Sequence, residues 1–355
     1  MKIKFCRSCK SKKLTKVFTL GKQTLTGIFP KKKNDKISKG NLSLVLCSHC
    51  NLLQLENNFN PLEMYGENYG YMSSLNKSMM LHLKIKALNF KKTYKLKKNS
   101  SILDIGSNDG TFLSYFNNKH ELIGCDPTIK KFSKYYRKDI KQVPDFFSGK
   151  IFQNKYFDLV TSISMFYDLP DPLNFAKEIF SILKEDGIWH IELSYMPMML
   201  KNLSYDTVCH EHLEYYSLKS LKFLLDKANL KIINLSFNQI NGGSIALDIA
   251  KKNSKFKEIK YLINWILESE RINKYNEISR QILFFKQSIK HKYLLKKLLM
   301  DLKKNNKKVF AYGASTKGNV ILQYCKINDK IIKYIGEVNK FKFNKFTPGT
   351  KIKII

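Results

Sequence analysis

Two sets of side chains in this sequence are spaced to do chemistry. Cys6-x-x-Cys9 and Cys47-x-x-Cys50 are two chelating pairs separated by thirty-seven residues. Paired in this way they predict a tetrahedral thiolate site for Zn2+, and with sulfur at all four positions the ion is structural. His49 lies inside the second pair and is read as a bystander. The other set is Asp206-Thr207-Val208-Cys209-His210-Glu211-His212-Leu213-Glu214-Tyr215-Tyr216, the densest run of titratable groups in the chain. Its histidines lack the His-Glu-x-x-His spacing of a helical zinc site. An acid–base loop fits better, because imidazole titrates near neutrality and a carboxylate beside it can set its tautomer and basicity. Which of His210, Glu211 and His212 pair with one another is open at this level.

A third constellation predicts a cofactor. Ser101 to Pro127 reads as a buried strand, a glycine turn, a helix start and a second strand ending in Asp126. Gly106 and Gly110 bracket the turn, where the backbone bends sharply and a ligand must come close. A dinucleotide fingerprint needs Gly-x-Gly-x-x-Gly for its pyrophosphate. Here the run is Asp104-x-Gly106-x-x-x-Gly110, with Asn108 at the second glycine position and Asp109 beside it. Acids at such a turn repel a pyrophosphate and suit a cofactor with a cationic centre and an ammonium group, while Asp126 can take both hydroxyls of a ribose.

These residues need elements to hold them. The tyrosines of 65–71 sit on a glycine-broken loop; either at least one faces cofactor or substrate, or they pack between the zinc module and the sheet. An amphipathic helix follows from about Asn76 to Asn89. Phe157 to Ile163 reads as a third buried strand, ending at Ser164 in a loop with two prolines. A helix to about Leu183 and a strand from Gly187 to Leu193 come next. Ligands in such sheets bind beyond the carboxyl ends of the strands, the rim to which Asp104, Asp126, Pro127, Ser164 and Glu192 belong. A helix over about 218–228 and a strand over 230–237 lead to Asn241-Gly242-Gly243-Ser244, read as a tight hairpin that also offers bare amides. Two lysine-rich helices occupy roughly 255–305. The strand 308–312, the turn Gly313-Ala314-Ser315-Thr316-Lys317-Gly318-Asn319 and a helix starting near Val320 then form a second α/β unit. Its turn resembles a phosphate cradle of amides plus one ammonium but is no P-loop.

Composition narrows the function. At 355 residues the chain holds two or three domains. Its formal charge of +34 invites a nucleic-acid function. Against that, Arg7, Arg137, Arg271 and Arg280 are its only arginines, and base and phosphate recognition favours the arginine fork. A solvated lysine surface, with no specific nucleic-acid partner, is the expectation. No apolar run reaches a membrane span and no signal-peptide core opens the sequence, so a cytoplasmic protein is expected, its oligomeric state open.

Taken in order, the cysteine pairs, Tyr71-Met72-Ser73-Ser74, the 103–110 turn, Cys209-His210-Glu211-His212, Asn241-Gly242-Gly243-Ser244 and the 313–319 turn resemble one family. It is the three-domain S-adenosylmethionine (SAM) dependent C-methyltransferases of nucleotide-linked keto-sugars. The resemblance implies an α/β chain: a zinc module over 1–65, a class I methyltransferase sheet over 66–250, a helical connector over 251–305 and an abbreviated Rossmann-like domain over 306–355. It implies SAM contacts at Asp104, Gly106, Asn108, Gly110, Asp126, Pro127 and Ser164, and sugar-nucleotide contacts at Asn241, Gly242, Ser244, Ser315 and Lys317. It further implies that His212, supported by Glu211, removes the proton beside a 4-keto group, with Tyr71 or His210 at the enolate oxygen. The chain departs from the family at Met165–Pro172, where some members carry a histidine, and ends short of the family's last strands. A sugar O-methyltransferase, or a non-catalytic module binding SAM or nucleotide-sugar, are the alternatives.

Overall fold

The computed structural model describes residues 1–65 and 70–355. The N-terminal part is an antiparallel sheet of β1 (Leu14–Thr24), β2 (Lys39–Cys47) and β3 (Leu53–Leu55). Its knuckles are the two Cys-x-x-Cys turns.

The central sheet carries the site. β4 (Ser101–Ile105), β5 (Glu121–Cys125), β6 (Lys141–Val143), β7 (Phe157–Ile163) and β8 (Leu183–Ser194) run parallel. β4 is buried at every position, which is why its sequence is a continuous run rather than an alternating one. The chain leaves β4 in one direction through β5 and β6, then returns to β4's other side with β7. That reversal opens a crevice between the carboxyl ends of β4 and β7, where doubly wound sheets bind ligands.

A short strand not foreseen from sequence, β9 (Glu214–Tyr215), leaves the methyltransferase body and pairs with β3. Two residues give no periodicity to read. It nevertheless anchors the end of the His-Glu-His segment to the zinc domain. β10 (Leu230–Asn238) and β11 (Ser244–Lys251) close the central sheet as an antiparallel pair beside β8. The connection 239–243 includes a short 3-10 turn, Ile240–Gly242, so it is a five-residue loop rather than a tight hairpin. β8 starts four residues before the expected Gly187, because Leu183 already pairs with Phe157 where the preceding helix ends.

Helices Lys260–Ile272 and Ile278–Lys304 match the two expected between 255 and 305. The C-terminal sheet is β12 (Ala311–Tyr312), β13 (Tyr334–Gly336) and β14 (Lys353–Ile354), all parallel. β12 is shorter than expected, being an edge strand; Tyr312 and the preceding Phe310 face solvent. The helix after it begins at Thr316 rather than Val320, since the Ser315 hydroxyl caps it by accepting the Gly318 N–H at 2.9 Å. Among the described residues no helix is long and apolar enough to cross a membrane.

Candidate active site

The zinc ligands are assembled as their spacing predicts. Sγ atoms of Cys6 and Cys50 lie 3.5 Å apart, those of Cys9 and Cys47 3.6 Å, and all four fall within 4.8 Å of one another. A tetrahedron with Zn–S bonds of about 2.3 Å has edges near 3.8 Å, so the cluster fits the ion. Gln54 donates to the Cys6 sulfur at 3.2 Å, a partner that orients a thiolate ligand. His49 is turned edge-on to Phe223, away from ligand duty.

In the crevice between β4 and β7 lies a cavity of about 380 Å³. Its lining includes Asp104, Gly106, Asn108, Asp126, Pro127 and Ser164, six of the seven residues expected to hold the cofactor. Gly110 is the exception. It adopts φ +75°, and a Cβ there would press within 2.9 Å of Tyr136. Gly106, at φ +77°, is crowded in the same way by Met165 at 2.8 Å. Both glycines are therefore demanded by backbone handedness and by protein neighbours, as well as by any ligand.

The turn's acids divide their work. Asp126 accepts the Asn108 N–H at 2.9 Å and the Thr128 N–H and hydroxyl at 2.7 and 2.6 Å. Three of its roughly four lone-pair sites are thus used, leaving room for about one ribose hydroxyl rather than the pair expected. Asp109 faces inward, taking the Thr111 hydroxyl at 2.6 Å and the Ser74 N–H at 2.9 Å. Asn108 adds bonds to the Ser73 N–H and the Tyr71 carbonyl. These contacts staple the tyrosine loop onto the glycine turn and bring Tyr65 and Tyr71 to the cavity wall. Tyr69 lies outside the described residues. Asp104 is fully enclosed beside Asp126 and accepts the Thr161 hydroxyl at 2.6 Å; burial pushes its carboxyl up to about 7.

Glu192, which the strand pattern places at the rim, is consumed by packing. Helix Lys77–Tyr94 clamps it with His82 and Lys86 at 2.7 and 2.6 Å, and Asn238 donates at 2.8 Å. Despite burial these partners hold its carboxyl down at about 2.

The His-Glu-His segment splits three ways. His210 is fully buried against the zinc domain, its Nδ1 met by the Thr26 hydroxyl at 3.2 Å and its ring edge-on to Phe59. Burial lowers it to about 4. None of His210, Glu211 and His212 is part of the cavity lining itself; His210 is the one turned into the zinc domain, which argues against its expected role as a donor to the reacting oxygen. Glu211 packs where a Cβ on Gly27 would run into its carboxylate, and one of its oxygens has no partner among the described residues. His212 is partly exposed. Its Nδ1 lies 2.9 Å from the Thr207 carbonyl and its ring packs edge-on to Tyr167, centroids 4.4 Å apart. The group orienting this imidazole is therefore Thr207, not Glu211 as expected. Burial, and then Lys317, lower His212 to about 3.

The second rim is joined to the first by side chains. Lys317 donates to the Asn241 carbonyl at 3.0 Å, and the Asn241 amide donates to the Ser164 hydroxyl at 3.2 Å. Ser164 also bonds Tyr167, the ring against His212. Gly242 accepts from Asn202, and Ser244, buried, spends its hydroxyl on the Ile240 carbonyl. Ser315 is the helix cap described above. Ser244 is thus occupied by local structure, a correction to its expected ligand role. Sequence reasoning missed Met165, Asp168, Leu169 and Pro170 as cavity wall; the departure from the family pattern at 165–172 was the available signal.

The cavity lies beside the glycine turn at the switch point of this sheet. Three families match successive parts of the chain: a zinc binding domain over 6–65, a methyltransferase domain over 80–235 and a C-methyltransferase C-terminal domain over 239–355. The curated C-methyltransferase NovU of Streptomyces niveus is 24% identical over 319 residues, 88% of this chain and 76% of that protein. The chain is accordingly a SAM-dependent C-methyltransferase with a zinc domain and a C-terminal domain flanking its catalytic sheet. Among solved structures it is similar to the plantazolicin methyltransferase BpumL bound to S-adenosylhomocysteine (SAH), at 16% identity and TM-score 0.38, covering 48% of this chain and 83% of that one. A SAM-dependent methyltransferase of Clostridium acetobutylicum is similar at 12% identity and TM-score 0.34, covering 48% and 99%.

Proposed function

We propose that the chain methylates the carbon beside the keto group, C3, of a nucleotide-linked 4-keto-deoxysugar, with His212 as general base. The observation that carries this reading is the Thr207 contact. A carbonyl can only accept, so Nδ1 holds the proton and Nε2 keeps its lone pair. A base at about 3 is neutral throughout the working range but weak. Such a base removes a proton next to a ketone only when the enolate oxygen is held by donors. An anionic diphosphate settling against Lys317 offsets the cation that depresses His212 and strengthens the base as substrate arrives.

Bound SAM supplies the electrophilic methyl group. The chain's residues do the rest. Asp126 takes a ribose hydroxyl, and Asp104 faces the cationic methionine end, ionising as the ammonium comes near. Tyr71, on the loop stapled by Asn108, closes over the acceptor. The Ser164–Asn241–Lys317 chain lets the C-terminal domain register the acceptor against the cofactor rim, which is positioning rather than chemistry. Ser315 and Gly242 flank that path. Domain limits of 1–65, 66–250, 251–305 and 306–355 suit this division of labour. Incubation with SAM and nucleotide-linked 4-keto-sugars deuterated at C3 tests the proposal. Loss of deuterium with methyl gain at C3 is expected, whereas methyl gain with deuterium kept would place the methyl on oxygen.

A further inference from the structure

The geometry points to Asp168 as the hydrogen-bond donor that holds the acceptor's enolate oxygen, an inference that rests on the enolate reading above. Asp168 ends the 3-10 turn Phe166–Asp168 directly after β7. It lines the same cavity as Tyr71, Ser164 and Met165. Its Oδ1 is buried with no hydrogen-bond partner among the described residues. A buried polar atom in that condition is costly, and a ligand that meets it removes the cost.

Its neighbours decide whether it accepts or donates. The titratable groups that face it are Tyr65, Tyr167, Cys209, Glu211, Glu214 and Tyr215, and no cation is among them. Burial, the largest effect, holds the Asp168 carboxyl well above the usual range; a hydrogen bond from Tyr65 opposes it, and the Glu211 carboxylate adds a smaller upward push. Burial thus favours the protonated form, a carboxylic acid with an O–H to give. A neutral acid in an apolar wall is a strong donor to an oxygen that gains charge as the reaction proceeds. As His212 takes the C3 proton onto Nε2, the C3–H electron pair forms the C3=C4 bond and the carbonyl π pair moves onto the keto oxygen. Asp168 bonds that oxygen while keeping its own proton. This supplies the donor that so weak a base requires, in the place from which His210 is excluded.

The test uses the full zinc-loaded chain, SAM and a thymidine-diphosphate-linked 4-keto-6-deoxyglucose deuterated at C3, with deuterium exchange and methyl transfer both followed. Asp168→Asn keeps an N–H donor and cannot ionise; Asp168→Leu keeps the γ-branched shape, somewhat larger, without a donor. Exchange by Asp168→Asn is expected within about tenfold of the parent, and exchange by Asp168→Leu is expected to fall roughly 10²–10³-fold. SAM affinity and Tm should be unchanged in both. The parent should lose rate at alkaline pH as Asp168 ionises, and Asp168→Asn should not. Equal exchange by the two variants, or alkaline limbs that coincide for parent and Asp168→Asn, would overturn the role of Asp168. Absence of exchange by the parent with any keto-sugar would instead overturn the enolate reading, and this inference with it.

Discussion

The imidazole of His212 is fixed by the main chain of Thr207: Nδ1 and the carbonyl oxygen are 2.9 Å apart, and that contact settles which ring nitrogen is free. Thr207 itself sits at the end of the 3-10 turn Tyr205–Thr207, and the chain beyond His212 is tied into the zinc-domain sheet through β9. The imidazole is thus positioned from two domains at once.

That dependence makes the zinc cluster part of the catalytic architecture. Replacing Cys47 by Ser, or stripping the ion with a chelator, should lower Tm and cut methyl transfer together, because loss of a structural ion unfolds what it organises. Thermal melts and activity measured across a chelator titration check this, and activity that survives intact after complete removal of zinc would contradict it.

Acid should destabilise the fold through His210. Its folded value of about 4 lies below the ordinary 6.5, so the unfolded chain takes up the proton first as pH falls. Stability is full above about 6.5 and declines as pH drops toward 4, by up to about 3 kcal/mol from this one group. Replacing His210 with Gln should flatten Tm against pH in that window relative to the parent.

SAM affinity should weaken below neutrality. Asp104, raised to about 7, must ionise to meet a cationic ligand, so each pH unit below that value should cost up to tenfold in Kd. Calorimetric titration between pH 8 and 6 reads this directly, and Asp104→Asn should be weak at both ends.

The glycine turn offers a steric test. Gly106→Ala places a Cβ at φ +77° and against Met165, which should cost on the order of 1–3 kcal/mol. Shortening the neighbour in Gly106→Ala/Met165→Ala should restore part of the loss, since the clash is relieved while the left-handed backbone is not.

Much of the fold was legible because its elements obey local rules. Phe157–Ile163 is a buried run with identical limits in sequence and structure, and the cysteine pairs meet as their spacing requires. What escaped depended on contacts between distant segments. Whether His212 pairs with Glu211 or Thr207 is decided by the path of a loop, and no periodicity encodes that path. His210 and His212 look equivalent in the sequence, yet one faces Thr26 of the zinc domain and the other Tyr167 of the sheet. Glu192 reads in the sequence as a rim acid, yet helix Lys77–Tyr94 neutralises it with His82 and Lys86. The 165–172 loop stands out in the sequence as a departure from the family pattern, but which of its residues matters is not encoded there; burial and a place in the cavity wall single out Asp168.

The central claim is that His212 takes the proton from the acceptor. His212→Asn retains a side chain able to donate to the Thr207 carbonyl while removing the Nε2 base. With SAM and a C3-deuterated 4-keto-sugar, this variant should bind SAM as the parent does, and should lose deuterium exchange and methyl transfer by roughly 10²–10⁴-fold. Exchange at the parent's rate in His212→Asn would contradict the account.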